Sequence, residues 1–246
     1  MTPEEEAMQA EIMAEMKAIS EKSSNSRFDQ YEKKVVSNSV QGAAGTENSD
    51  PNGDGGAAFL QGNPEEPSMN QYWYSQPTIS ALTSECSRLI AEGGADFKVA
   101  FLSTPSIYFA LSEAERKQCF VFDYDKKWES DRGFVFYDFN DQETLPKELH
   151  NTFDLVVIDP PFITREVWEK YTASSKLLLC VDPTENSPKG MVIGTTVAEN
   201  KDFMGELLGC KPQAFRPSIP NLVYQYNSYA NFEGAKFLGK PNPEID

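Results

Sequence analysis

Apolar and polar positions alternate in blocks from about residue 68 to the end of the chain. Short runs of branched and aromatic residues, typical of buried strands, are separated by longer stretches with helical spacing. The predicted strands lie near 98–103, 119–123, 134–137, 154–158, 191–195, 213–215 and 224–229, and the predicted helices near 75–93, 106–117, 163–179 and 199–208. This alternation predicts an α/β fold with a seven-stranded, mostly parallel, doubly wound sheet that a final antiparallel hairpin closes.

One stretch of the pattern admits two predictions. The run Leu177-Leu178-Leu179-Cys180-Val181 could end the preceding helix or form a strand of its own. A short run of apolar residues fits both the 3.6-residue period of a helix and the two-residue period of a strand, so the sequence leaves the choice open.

The first 67 residues have a different pattern from the rest. Residues 1–22 predict an amphipathic helix, because Thr2 and Pro3 suit its start and an apolar stripe follows at Met8, Ile12, Met16 and Ile19. A marginal helix that frays in solution is the alternative. Residues 23–67 are rich in Ser, Asn, Gly and Asp and predict a disordered linker, so the folded domain is predicted at 68–246.

The most informative strand is 154–158, which runs into Asp159-Pro160-Pro161-Phe162. Its branched apolar residues are typical of a buried parallel strand. Proline fixes its own φ and has no N–H, so the following loop is stiff and offers acceptors rather than donors. A carboxylate and the Pro160 carbonyl can accept two hydrogen bonds from one amino group and leave its lone pair free, while an aromatic ring packs alongside. We therefore predict Asp159, Pro160 and Phe162 as catalytic residues; the alternative is a strand that merely ends in a proline turn.

This loop resembles the D/N-P-P-F/Y/W motif of amino-directed, S-adenosylmethionine-dependent methyltransferases. Further segments are similar to the lysine methyltransferases that act on eukaryotic translation elongation factor 1-alpha, formerly described as N6-adenine DNA methyltransferase-like. These segments are Gln71-Tyr72-Trp73-Tyr74-Ser75, Ser103-Thr104-Pro105-Ser106-Ile107-Tyr108, Phe122-Asp123-Tyr124-Asp125-Lys126-Lys127-Trp128 and Phe136-Tyr137-Asp138-Phe139-Asn140. The resemblance spans about residues 70–232 and implies the class I, Rossmann-like methyltransferase fold.

The cofactor implied is S-adenosylmethionine, and parallel α/β sheets bind ligands beyond the carboxyl ends of their strands. The predicted strand ends supply Ser103 and Thr104, then Asp123 and Asp125, then Asp138 and Phe139. An acid after the second strand suits the ribose hydroxyls, and Asp138 suits the adenine amino group, because both ligand groups are donors. The sequence does not decide which of Asp123 and Asp125 binds the ribose, and either alone could be a helix cap or turn residue.

Two further features refine the cofactor prediction. The first turn lacks Gly-x-Gly-x-x-Gly, which disfavours a pyrophosphate-containing dinucleotide but also departs from the usual methyltransferase pattern. Three aromatics, Tyr72-Trp73-Tyr74, precede the first helix of the domain. They could plug the sheet edge or, as the family likeness suggests, form part of a cofactor lid, for which we name Trp73.

The charge and composition of the chain limit the kinds of partner that it is expected to bind. The net charge is −16, with 13 acidic and 5 basic residues in 1–66 and 25 acidic and 17 basic residues in 67–246. This charge disfavours a nucleic-acid partner and favours a basic protein substrate. Without a signal peptide or an apolar span, a cytoplasmic protein that does not bind membranes is predicted. The scattered cysteines and single histidine predict reduced thiols and no metal site.

Three functions remain in order of preference. The first is a protein-lysine N-methyltransferase with elongation factor 1-alpha as the implied substrate. The second is methylation of the adenine amino group in DNA or RNA, where Phe162 would stack on a flipped base. The third is a methyltransferase-fold binding module without catalysis. The target lysine, the number of methyl groups and the oligomeric state are not encoded in any recognisable pattern.

Overall fold

The computed structural model describes residues 55–182, 184 and 187–245. The predicted helix 1–22 and the first part of the predicted linker lie outside these residues. In chain order the helices are α1 (Gly55–Gly62), α2 (Gln76–Gly93), α3 (Pro105–Ala110), α4 (Glu113–Arg116), α5 (Arg165–Leu178) and α6 (Lys201–Leu208). The strands are β1 (Val99–Leu102), β2 (Cys119–Asp123), β3 (Phe134–Phe136), β4 (Leu155–Ile158), β5 (Val181–Asp182), β6 (Ser187–Pro188), β7 (Met191–Val197), β8 (Lys211–Pro212) and β9 (Tyr226–Ala230).

Seven of these strands form one sheet in the order β3-β2-β1-β4-β7-β9-β8. The first five of that order pair in parallel, and β9 pairs antiparallel with both β7 and β8. All residues of β1 and β4 are buried, as their unbroken apolar sequences predict. The predicted seven-stranded, mostly parallel α/β sheet is confirmed.

The sheet core is one apolar cluster that helix α5 covers. Trp168 and Tyr171 of this helix are almost fully buried against Phe153, Ile158 and Tyr229. Helix α2 begins where predicted, because the Ser75 side chain accepts a hydrogen bond from the Thr78 N–H. It ends at Gly93, and the next residue, Gly94, has a φ of 82°, a conformation that favours glycine.

Three predicted elements differ from the structure, and one open choice is resolved. The single helix 106–117 is two helices, because Leu111 is extended and Ser112 starts α4 with a capping box. The strand predicted at 213–215 is β8, Lys211–Pro212, and the closing strand β9 starts at Tyr226 rather than Tyr224. The ambiguous run 177–181 is divided, because α5 ends at Leu178, Leu179 bridges to Phe153, and Val181 begins β5.

The prediction of a disordered linker to residue 67 is wrong for its last part. Residues 55–62 form α1, and a 3-10 helix follows at Pro67–Met69. The apolar side chain that explains this is Phe59, which is 4% exposed and packs on Trp73 with ring centroids 5.0 Å apart. The glycine-rich composition of this segment predicts disorder, but the single buried aromatic side chain of Phe59 attaches it to the domain.

No helix among the residues that the structure describes is long and apolar enough to cross a membrane.

Candidate functional site

The strand register brings the predicted site residues to one edge of the sheet. Leu102 pairs with both Phe122 and Ile158, and Ile158 pairs with Gly194. The next residue along each of these strands is Ser103, Asp123, Asp159 and Thr195. These four residues therefore lie side by side at the carboxyl edge, where parallel sheets bind ligands.

Asp159 occupies the centre of this edge. It follows β4, and its backbone N–H donates to the Leu102 carbonyl at 3.2 Å. Pro160 is buried, and Phe162 is partly buried against the core. The loop is held from outside by Asn70, whose side-chain amide donates to the Pro161 carbonyl. Asp159, Pro160 and Phe162 thus form one rigid segment, and their catalytic role stays a prediction.

The Asp159 carboxylate is engaged by hydroxyl groups. The Tyr74 hydroxyl donates to Asp159 Oδ2 at 2.5 Å and lies 2.6 Å from Thr195 Oγ1. Burial raises the pKa of Asp159 from 3.8 to about 7, and the hydrogen bonds from Tyr74 and Thr195 act in the opposite direction. A carboxyl group with this pKa can exchange a proton near neutral pH, as general acid–base chemistry requires.

The two acids after β2 have different surroundings. Asp123 is 6% exposed, and its Oδ1 accepts the Asp125 N–H at 2.8 Å. Burial raises the pKa of Asp123 to about 7. Asp125 instead accepts the Lys127 N–H through Oδ1, and its Oδ2 lies 2.9 Å from Lys127 Nζ and 3.2 Å from Gln71 Nε2. Both Asp125 oxygens are therefore occupied, whereas Asp123 Oδ2 is the better placed of the two acids to accept from a ligand.

The turn after β1 is made without glycine. Ser103 has a φ of 54°, a conformation in which glycine is the usual residue, and its hydroxyl lies 2.6 Å from the Tyr171 hydroxyl. Thr104 is 2% exposed, and its Oγ1 has no hydrogen-bond partner among the residues that the structure describes. An orphaned buried hydroxyl is uncommon in folded proteins and marks a position where a ligand could bond.

Asp138 and Phe139 lie beyond β3 on the same edge. Asp138 is partly buried and accepts the Asn140 N–H at 2.8 Å. Phe139 packs between Tyr171, at 5.7 Å, and Phe162, at 6.5 Å between ring centroids. This aromatic row joins the predicted cofactor end of the site to the predicted catalytic loop.

Trp73 is placed differently from the other predicted cofactor residues. It is 6% exposed, it packs on Phe59, and its Nε1 donates to the Asn63 carbonyl at 2.9 Å. Lys127 Nζ lies 5.3 Å from the centre of its ring and 2.9 Å from Asp125 Oδ2, so this lysine links Trp73 to Asp125. The side chain is thus packed against α1, and its predicted part in a cofactor lid stays a prediction beside the alternative of a plug over the sheet edge.

Sequence reasoning missed Tyr74 and Thr195 as site residues. Tyr74 belongs to the aromatic run that we considered only as a lid or plug. Thr195 ends a predicted strand, and extending the strand-end argument to β7 would have found it. Asn70 carries no signal in the sequence, because its role depends on a left-handed backbone with φ of 53°.

A cavity of about 610 Å³ lies next to Tyr74 but does not include the acidic edge. Its lining includes Leu60, Glu65, Trp73, Pro220 and Glu244, and neither Asp123 nor Asp159. Since the titratable groups and strand ends meet elsewhere, we place the chemistry at the sheet edge rather than in this cavity.

Comparison with known proteins gives a family and several relatives. A family model described as probable N6-adenine methyltransferase matches residues 65–234. The human EEF1A lysine methyltransferase 1 is 32% identical over 176 residues, which cover 70% of this chain and 77% of the human protein. The protein-lysine N-methyltransferase EFM5 of Saccharomyces cerevisiae is 28% identical over 184 residues, which cover 69% of this chain and 73% of the yeast protein.

Among solved structures, a branched-chain polyamine synthase from Thermus thermophilus matches with 13% identity and a TM-score of 0.49, over 71% of this chain and 60% of that one. Nothing about the chemistry of this chain follows from a structural likeness at that level.

Proposed function

This chain belongs to the probable N6-adenine methyltransferase family, and from that premise we propose that it methylates a lysine of elongation factor EEF1A with S-adenosylmethionine as the methyl donor. The observation that carries the chemistry is Asp159, a partly buried carboxylate at the centre of the strand-end row, followed by two prolines. The substrate is proposed from the relatives named EEF1A lysine methyltransferase 1.

The residues at the sheet edge suit this cofactor. Asp123 Oδ2 would accept from the ribose hydroxyls, and the orphaned Thr104 hydroxyl could bond a polar group of the amino-acid portion. Asp138 would accept from the adenine amino group, which is a donor. S-adenosylmethionine supplies the electrophilic methyl group, and all other steps below belong to side chains of this protein.

The lysine amine must lose a proton before its nitrogen can react. A free lysine has a pKa near 10.4, so it is an ammonium at neutral pH. Asp159 and the Pro160 carbonyl would accept hydrogen bonds from it, and Phe162 would exclude water beside it. Because the pKa of Asp159 is about 7 rather than 3.8, transfer of the ammonium proton to this carboxylate is less unfavourable by about three pKa units. Burial thus turns an orienting carboxylate into a usable proton acceptor.

A labelling experiment tests the proposal. The full chain, tritiated S-adenosylmethionine and purified EEF1A should give a labelled protein in which mass spectrometry locates a methylated lysine. Asp159→Ala should bind the cofactor within severalfold of the wild type but react at least about a hundredfold more slowly. Asp154→Asn is the matched control at the opposite end of β4, since an amide can still accept the Lys98 N–H. An Asp159→Ala variant with wild-type rate would remove Asp159 from the mechanism.

The family description supports a second candidate, methylation of adenine in DNA or RNA. The adenine amino group is already neutral, so the same loop could present it without a proton acceptor of this pKa. Labelling of a cell extract with and without nuclease separates the two. Label that survives nuclease and migrates with EEF1A supports the lysine reaction, and label that nuclease abolishes supports adenine. We propose a cytoplasmic location for the reaction.

A further inference from the structure

Two buried hydroxyls adjoin the proposed catalytic carboxylate, and neither is explained by packing alone. Tyr74 is 3% exposed and Thr195 is 2% exposed. Tyr74 lies directly before α2, and Thr195 lies in β7 beside the end of β4. The two oxygens are 2.6 Å apart, and the Tyr74 oxygen is 2.5 Å from Asp159 Oδ2. Three separate segments of the chain therefore meet at the Asp159 carboxylate.

The direction of the hydrogen bonds follows from the number of available protons. An ionised carboxylate only accepts, and a tyrosine hydroxyl has one proton to donate. Tyr74 therefore donates to Asp159 Oδ2. Thr195 lies 2.6 Å from the Tyr74 oxygen and also hydrogen-bonds the Asp159 carboxylate, so it contacts both members of the pair. With Oδ2 engaged by Tyr74, Oδ1 would be the oxygen that a substrate amine approaches.

We propose that Tyr74, oriented by Thr195, is a positioning residue that fixes the Asp159 carboxylate and presents its Oδ1 to the amino group of the substrate. The inference rests on the proposed methyltransferase function and adds two residues to it. Neither hydroxyl takes part in the bond changes. Their effect is to set the orientation and the protonation of the group that does.

Electrostatics at Asp159 support this role. The titratable groups whose pKa Asp159 raises are the phenols of Tyr74, of Tyr171 in α5 and of Tyr226 in β9. Burial is the largest cause that raises the pKa of all three phenols above 10, so they are neutral where Asp159 titrates. Hydrogen bonds from Tyr74 and Thr195 favour ionised Asp159, whereas burial disfavours it. Removing the Tyr74 hydroxyl should therefore raise the pKa of Asp159 further.

The test compares Tyr74→Phe with Tyr226→Phe in the full chain, across pH 6 to 9.5. Tyr226 is the matched control, because it is a buried phenol near Asp159 with no hydrogen bond to it among the residues that the structure describes. We expect Tyr74→Phe to lower kcat at pH 7 by about tenfold and to shift the acidic limb of kcat to higher pH, with KM for the protein substrate unchanged.

Thr195→Val should act in the same direction but less strongly, and Thr195→Ser, which keeps the hydroxyl, should have the wild-type pH profile. A Tyr74→Phe enzyme with the wild-type rate and an unshifted acidic limb would overturn the proposal, as would a rate loss that is equal at every pH.

A second readout does not depend on catalysis. In protein labelled with ¹³C at aspartate carboxyl groups, the Asp159 signal can be assigned by its absence in Asp159→Asn and then titrated. We expect a higher pKa in Tyr74→Phe than in the wild type and no change in Tyr226→Phe. If wild-type protein fails to methylate EEF1A but this shift is present, the proposed substrate is wrong and the positioning role stands. If the wild type methylates EEF1A and the shift is absent, the positioning role is wrong.

Discussion

Asp123 and Asp125 stand two residues apart at the same strand end, yet the fold uses them differently. Asp125 forms the ion pair with Lys127 and starts the following 3-10 helix. Asp123 is buried, and no basic side chain contacts it among the ion pairs of the described residues. Maintaining a buried acid without a basic partner costs stability, and such a cost is common where a ligand later supplies donors. We therefore propose that Asp123, rather than Asp125, contacts the ribose.

The pKa of Asp123 gives a stability prediction with a definite sign. Its folded-state pKa of about 7 exceeds the ordinary 3.8, so the folded chain holds a proton that the unfolded chain has lost between about pH 4 and 7. The stability that this group contributes is complete below pH 4 and is lost as pH rises through 7. Asp123→Asn should therefore be more stable than the wild type at pH 8, by on the order of 2–4 kcal/mol, and no more stable at pH 4.

Urea unfolding at the two pH values measures this difference, and calorimetry should show weaker S-adenosylmethionine binding at both. Asp125→Asn is the control, because it loses the Lys127 ion pair and should gain no stability at pH 8. If Asp123→Asn and the wild type are equally stable at pH 8, ionisation of Asp123 does not destabilise the folded protein, and the prediction is wrong.

At the same scale, the predictable site residues are those that end apolar runs. Asp123 ends β2, Asp159 directly follows β4 and Asp138 lies just beyond β3, and strand ends at one edge must meet. Tyr74 could not be placed in this way, because it contacts Asp159 from 85 residues earlier in the chain. A hydroxyl carries no motif, and its partner is fixed only by tertiary packing.

Helices and strands were predictable where the spacing of apolar residues fits only one of the two structures. Strands β1, β2, β4 and β7 lie within one or two residues of their predicted bounds, because each contains at least three consecutive apolar residues. Helix α1 was missed because a single aromatic residue defines it. Phe59 stacks on Phe109 at 6.2 Å and lies 5.8 Å from Trp128, so its environment is assembled from three distant segments. Contacts between residues so far apart in the sequence cannot be predicted from the local composition around Phe59.

Helix α1 should therefore be part of the stable domain, and Phe59→Ala tests this. Loss of a buried phenylalanine leaves a cavity, so we expect a loss of roughly 3–5 kcal/mol in the free energy of unfolding. Phe136→Ala is the control, since that side chain is 38% exposed and should cost less than about 1 kcal/mol. Denaturant titration followed by tryptophan fluorescence would also report the released Trp73. A Phe59→Ala protein as stable as the control variant would mean that α1 is only loosely attached.

At the scale of the whole molecule, charge is the dominant property. The chain carries a net −16, and residues 67–246, most of the described part, hold 25 acidic against 17 basic residues. Approach of a polyanion is opposed by this field, while a basic protein is attracted to it. The proposed lysine substrate and the observed acidity are thus mutually consistent, whereas an adenine in a phosphate backbone would need a basic face to release counterions.

Salt dependence provides the last prediction. The Debye length falls from about 14 Å at 0.05 M salt to about 4 Å at 0.5 M, so long-range attraction should weaken across this range. We expect kcat/KM for EEF1A to fall about tenfold, with kcat changing much less, because screening acts on encounter rather than on the enclosed reaction. A short peptide whose only charged side chain is the target lysine is the control and should show much less salt dependence. Mobility-shift titration should detect no binding of duplex DNA or RNA at physiological salt. Micromolar binding to a duplex, together with labelling that nuclease abolishes, would make adenine rather than lysine the substrate of this site.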